Sequence, residues 1–196
     1  MKPVGGFRHL AAQFKEGDDF EIVTRQGSSG TLVLAIHGGG IEPGTAEIAA
    51  RVAGRKHALY LFKGIRPQGN AALHLTSTRF DEPRALALVA AASTILSIHG
   101  CRGKASFAMV GGRDEGARER LKGALAGAGI RVEAAARGAM AGQHPTNICN
   151  RGCPKKGIQL ELSRGLRDRL LGPMDDDGST DIELERFCTT IREAIS

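Results

Sequence analysis

The stretch 31-TLVLAIHGGGIEPGTAEIAA-50 constrains the fold of this chain more than any other. Residues 31-TLVLAI-36 form a near-continuous apolar run rich in β-formers, without the alternation of a half-exposed strand. Such a run is the mark of a strand buried on both faces, the usual situation in a parallel sheet covered by helices. It ends in His37, three glycines and then Glu42. Glycine loses more backbone entropy on folding than any other residue, so three in a row belong where the chain must bend sharply or approach another backbone closely.

The rest of the chain alternates strand and helix patterns. Strands are expected at 20–25, 57–62, 94–100, 105–112, 130–135 and 158–163. Helices are expected from Pro43 to about Gly54, over 81–93 and 114–129, shortly after Ser163, and at the C-terminus over about 181–195. The pattern predicts one α/β domain over 1–196, with its core at about 18–170. Its sheet is expected to be open, mixed and largely parallel, with helices on both faces. The long loop 136–157 is expected to be functional, and 172-GPMDDDGSTD-181 to be a flexible acidic turn.

Bulk composition narrows the function classes. With 196 residues the chain can bury one good core. Its 27 Lys+Arg against 21 Asp+Glu give a net charge of +6, which favours an anionic partner. The basic residues are scattered and no nucleic-acid motif is present, so nucleic acid is not the expected partner. Cys101, Cys149, Cys153 and Cys188 lack the paired spacing of a structural zinc site and read as free thiols. Residues 1–20 contain no apolar signal core and no segment is long enough to span a membrane. The expected product is made in the cytoplasm without a signal peptide and binds no membrane.

In open α/β sheets the binding crevice lies beyond the carboxyl ends of the strands. His37 ends one such strand, His99 ends another, and Glu42 follows His37 across the glycines. Two imidazoles and a carboxylate are a ligand set for catalytic zinc, and also suit iron(II) or manganese. Either histidine alone reads equally as a hydrogen-bonded structural residue. A phosphate loop is excluded because neither glycine fingerprint occurs. An esterase oxyanion loop is excluded because no GxSxG nucleophile follows. A metal hydrolase also needs a base, and Glu161 in 158-IQLELS-163 is a candidate. The alternation Gln159–Glu161–Ser163 equally fits a water-facing edge strand. His74 and His144 lack the strand-end glycine context and read as bystanders, while Asp81 and Glu82 read as helix N-terminal acids.

The blocks 36-IHGGGIEPGT-45, 59-LYLFKGI-65, 74-HLTSTRFDEP-83, 95-ILSIHG-100, 111-GGRD-114, 147-NICNRG-152 and 158-IQLELSRGLR-167 occur in one order. In this the chain resembles the poly-γ-glutamate hydrolases of bacteriophages and bacilli, a branch related to zinc carboxypeptidases. The resemblance implies one zinc ion held by His37, Glu42 and His99, with Glu161 as catalytic base. It implies a carboxypeptidase-like fold and hydrolysis of γ-glutamyl amide bonds. The wider His–Glu spacing departs from ordinary carboxypeptidases and suits cleavage within a polymer. Arg66, Asn147 and Arg151 are nominated as substrate-binding residues, and a monomer acting outside the cell after host lysis is expected. The alternatives are a related zinc amidohydrolase on another amide and a non-catalytic binder of anionic polymers.

Overall fold

An apolar strand buried on both faces needs a hydrophobic layer on each side, and the chain supplies both. The computed structural model describes residues 5–135, 138–172 and 179–196. Seven strands form one sheet: β1 (Phe20–Arg25), β2 (Thr31–Gly39), β3 (Ala58–Gly64), β4 (Thr94–Cys101), β5 (Ala108–Gly112), β6 (Val132–Glu133) and β7 (Ile158–Ser163). Their order is β1-β3-β2-β4-β7-β5-β6. The central strands β3, β2, β4 and β7 run parallel, β1 and β5 are antiparallel to their neighbours β3 and β7, and β6 is parallel to β5. This is the expected α/β architecture.

The helices are α1 (Phe7–Ala11), α2 (Thr45–Ala53), α3 (Pro83–Ala91), α4 (Glu115–Gly127), α5 (Arg164–Leu170) and α6 (Ser179–Ala194). Period-two alternation distributes β2 between two cores. Val33 and Ala35 join Leu96, Ile98, Leu160 and Leu162 on the face covered by α2, α4, α5 and α6. Leu32, Leu34 and Ile36 join Tyr60, Phe62 and Phe80 on the other face, under α1 and α3. Each buried aliphatic side chain contributes about 1.5–3 kcal/mol, so this one strand anchors both layers.

Local signals set the helix ends. The Glu82 carboxylate accepts from the Ala85 amide at 2.8 Å, with Pro83 beginning α3. Asp114 accepts from the Ala117 amide at 3.1 Å and caps α4. At the far end of α2 the Arg192 guanidinium, from α6, donates to the Arg51 and Val52 carbonyls. Several boundaries differ from expectation: β5 begins at Ala108 rather than 105, β6 is only Val132–Glu133, and two further shifts lie beside the cleft. Helix α2 starts at Thr45 rather than Pro43, because Gly44 has a left-handed backbone (φ 93°) that no helix turn can include. Strand β2 continues through the glycines to Gly39, with a register irregularity between Ala35 and Gly38. The expected acidic turn 175-DDD-177 lies outside the described residues.

The chain leaves β2 through α2 to β3 on one side, then returns through α3 to β4 on the other. That reversal opens a crevice beyond the carboxyl ends of β2 and β4.

Candidate metal centre and cleft

The bulge in β2 re-aims His37 as the strand ends, a common use of such irregularities. The chain then doubles back: the Glu42 amide donates to the His37 carbonyl at 2.8 Å, and Gly40 donates to the Gly64 carbonyl at 2.9 Å. Gly39 sits at φ 61°, and a Cβ there would collide with the Gly64 carbonyl oxygen. A Cβ on Gly40 would strike the Asn70 side chain. The glycines therefore let the loop lie against β3 and bring Glu42 back beside His37.

Three donor groups converge there. His37 Nδ1 lies 3.1 Å from Glu42 Oε1 and 3.2 Å from His99 Nδ1. One ligand atom from each of His37, Glu42 and His99 falls within 4.8 Å of the others. The outer nitrogens are held from behind: His37 Nε2 is 2.8 Å from the Leu75 carbonyl and His99 Nε2 is 2.8 Å from Ser97 Oγ. A carbonyl can only accept, so His37 carries its proton on Nε2 and, when neutral, turns the Nδ1 lone pair inward. The second carboxylate oxygen, Glu42 Oε2, accepts from the Gly100 amide at 2.7 Å. Fixed outer nitrogens and inward lone pairs are what a metal centre requires, so these residues fit a divalent ion.

Electrostatics agree with this arrangement. Burial opposes charge on His37, but the Glu42 carboxylate beside it outweighs burial and raises its pKa. His99 is driven down to about 3 by burial and by its neighbour His37. Burial also works against Glu42, yet His37, His74 and His99 hold it well below the usual carboxylate range. The three groups thus comprise one carboxylate, Glu42, and at least one neutral imidazole, His99.

Glu161 lies on β7 directly opposite His99 of β4. Strand β7 is not an edge: β4 and β5 flank it and all its residues are buried. Gln159 and Glu161 face the cleft, on the opposite side from Leu160 and Leu162, while buried Ser163 caps α5 by accepting from the Leu166 amide. Burial first, and the Glu42 charge second, push the Glu161 carboxyl up to about 7. Gln159 Nε2 donates to Glu161 Oε1 at 2.8 Å, and Asn147 Nδ2 donates in turn to Gln159 Oε1 at 2.7 Å. The carboxyl is oriented through two amides.

These groups line a cavity of about 590 Å³. Two further residues of that cavity had no local signature in the sequence. His74 stacks on His37 with ring centroids 3.9 Å apart, and its Nε2 is 3.6 Å from Glu42 Oε1. The turn after β3 brings His74 to the centre, where it stacks on His37 without joining the three candidate ligands. Exposed Arg102 stands at the rim, just past the end of β4. Cys101 also lines the cavity, but burial and Glu161 push its thiol up to about 11, so it stays protonated. All four cysteines are free.

The nominated substrate residues lie elsewhere. Arg66 pairs with Asp19 at 3.2 Å and sits over the Phe14 ring. Arg151 donates to the Phe80 carbonyl at 3.0 Å. Neither lines the metal cavity. Asn147 is buried and reaches it only through Gln159. His144 bonds within its own loop, to Thr146. Buried Arg167 binds the Pro43, Cys101 and Leu162 carbonyls and ties the metal loop to the ends of β4 and β7.

Fold and cleft together define an α/β protein with a His–Glu–His centre and an opposed carboxyl at the carboxyl edge of its sheet. A family model described as poly-γ-glutamate hydrolase matches residues 5–192, and the chain belongs to that family. The UPF0714 protein YndL of Bacillus subtilis (strain 168) is 38% identical over 174 residues, covering 88% of this chain and 69% of YndL. A bacteriophage poly-γ-glutamate hydrolase is similar in structure, with TM-score 0.90, 30% identity, and coverage of 99% of this chain and 96% of that one. A zinc-free form of YndL is similar too, with TM-score 0.89 and 33% identity over 99% of this chain and 97% of that one. No helix among the described residues is long and apolar enough to cross a membrane.

Proposed function

We propose that this chain is a zinc-dependent hydrolase that cleaves γ-glutamyl amide bonds inside poly-γ-glutamate. The observation that carries the reading is the convergence of His37, Glu42 and His99 beside Glu161, in a chain of this family. His37, Glu42 and His99 hold the ion. When bound, zinc supplies Lewis acidity that polarises a carbonyl and makes water a stronger acid. Glu161 takes the proton from the attacking water and delivers it to the leaving amine. Gln159 keeps the Glu161 carboxyl aimed at the cleft while it carries that proton.

His74 and Arg102 are the donors placed to meet substrate oxygens at the cavity wall and rim. A γ-linked polymer carries one α-carboxylate per unit, and the guanidinium of Arg102 matches such a group by charge-assisted hydrogen bonding. The whole site comes from one chain, so a monomer suffices. We further propose that it acts on the polymer outside the producing cell, after lysis. Export of the protein from intact cells refutes that route.

The test is polymer size over time, with chelation, zinc add-back and the Glu161→Gln variant. Rapid shortening that stops on chelation, returns with zinc and is absent in the variant is the expected result. Stepwise release of glutamate monomers refutes internal cleavage. An intact polymer alongside tightly bound zinc refutes the substrate.

A further inference from the structure

The cavity at the metal centre does not end there. It shares Thr76, Ser77 and Ala139 with a second cavity of about 830 Å³. That second cavity shares Thr78 and Pro145 with a third of about 510 Å³. The third is bounded by Arg79 and Arg151. A single turn, 76-TSTR-79, closed by the Arg79 amide on the Thr76 carbonyl at 2.8 Å, forms one wall of all three. The segment around 139–147 forms the other.

The walls are joined rather than merely adjacent. The Ile148 amide donates to the Ser77 carbonyl at 2.9 Å, and Arg151 Nη1 donates to the Phe80 carbonyl at 3.0 Å. The middle stretch offers neutral donors and acceptors in the hydroxyls of Thr76, Ser77 and Thr78. Cations stand at both ends, Arg102 at the metal cavity and Arg79 with Arg151 at the far one. The far cavity also holds one acid, Asp81, which accepts from the Phe7 amide, so two guanidiniums against one carboxylate leave it net positive.

We infer that these cavities are one groove that seats a polyanionic chain of amide-linked carboxylates to one side of the metal centre, with Arg79 and Arg151 as its distal carboxylate subsite. The inference deepens the proposed activity and rests on that reading for the identity of the polymer. A neutral stretch separates both guanidiniums from Arg102, so a chain that spans the groove meets cations at its two ends and hydroxyls between them. Fork-shaped guanidiniums match carboxylates better than point charges do. The same geometry accounts for Arg151, which lies too far around the turn to serve the metal cavity itself.

The experiment measures binding rather than turnover. Full-length protein carrying Glu161→Gln, supplied with zinc, is titrated into fluorescently labelled poly-γ-glutamate and, separately, a labelled γ-glutamyl dimer. The polymer is expected to bind more tightly than the dimer. Arg79→Glu should weaken polymer binding by about tenfold or more, the scale of one lost charge-assisted contact, and leave dimer and zinc binding unchanged. Thr78→Asp, at the junction of the second and third cavities, provides an independent variant with the same expected pattern. Polymer binding at the unsubstituted strength in both variants, or equal losses for dimer and polymer, overturns the groove. If the unsubstituted enzyme leaves the polymer intact while the length-dependent binding and its loss persist, the groove stands and the hydrolytic reading falls.

Discussion

Glu161→Gln tests the electrostatics of the cleft without any substrate. The Glu161 carboxyl is 6% exposed and its pKa rises from 4.5 to about 7, chiefly through burial and then through the Glu42 charge. A raised carboxyl pKa means that the folded chain holds this proton more tightly than the unfolded chain. The resulting stability is fully present below pH 4.5 and is lost as pH rises through about 7. At 1.36 kcal/mol per pH unit, the rise from 4.5 to about 7 corresponds to about 3 kcal/mol. Glutamine cannot ionise, yet its carbonyl can still accept from Gln159. In metal-free protein the variant should therefore match the unsubstituted chain near pH 4.5 and exceed it by about 3 kcal/mol at pH 9. Urea unfolding of both proteins across that range reads the gap directly. Stability curves that stay parallel from pH 4.5 to 9 refute a buried, proton-holding carboxyl at this position. The same variant should lose about 10²–10⁴-fold in turnover, so stability gained at high pH accompanies activity lost.

Ser97→Ala removes the partner of His99 Nε2, 2.8 Å away, and should weaken zinc binding by about 10–100-fold, measured by competition with a chromogenic chelator. Gly39→Ala forces a side chain into a left-handed backbone against Gly64; the backbone alone should cost about 1–2 kcal/mol by denaturant unfolding, and displacement of Glu42 should lower zinc affinity as well. Arg192→Ala should destabilise by about 1 kcal/mol through loss of the α2 C-terminal contacts, with turnover unchanged in a polymer-size assay. His57 is buried with its Nδ1 2.7 Å from Ser29 Oγ, and burial lowers its pKa below 6.5. Its contribution is therefore present above pH 6.5 and lost as pH falls, and a His57→Gln variant should flatten that part of the thermal-melting profile.

How much of the centre was legible depended on whether its signal was local. His37, the glycines and Glu42 all fall within 37-HGGGIE-42, and a strand that ends in such a run can turn sharply back on itself. His99 was readable because a strand terminus in a parallel sheet faces the crevice whatever its neighbours are. Glu161 was ambiguous for a definite reason. A strand with alternating polar residues looks the same at a wet edge as beside a cleft, and only its position between β4 and β5 separates the two.

His74 had no local pattern to reveal it. Its place depends on the Leu75 carbonyl holding His37 and on the stacking of two rings thirty-seven positions apart in sequence. Arg66 and Arg151 illustrate the converse. Loop cations are natural candidates for a polyanion, but tertiary contacts with Asp19, Phe14 and Phe80 decide where each one points. The linear pattern alone determined the α/β class, the strand that ends in His37 and the candidate ligands His37, Glu42 and His99, because periodicity and glycine content act over a few residues. The order of strands, the burial of Glu161, the entry of His74 and the groove toward Arg79 and Arg151 were decided by tertiary structure, because each is a contact between segments that the sequence leaves far apart.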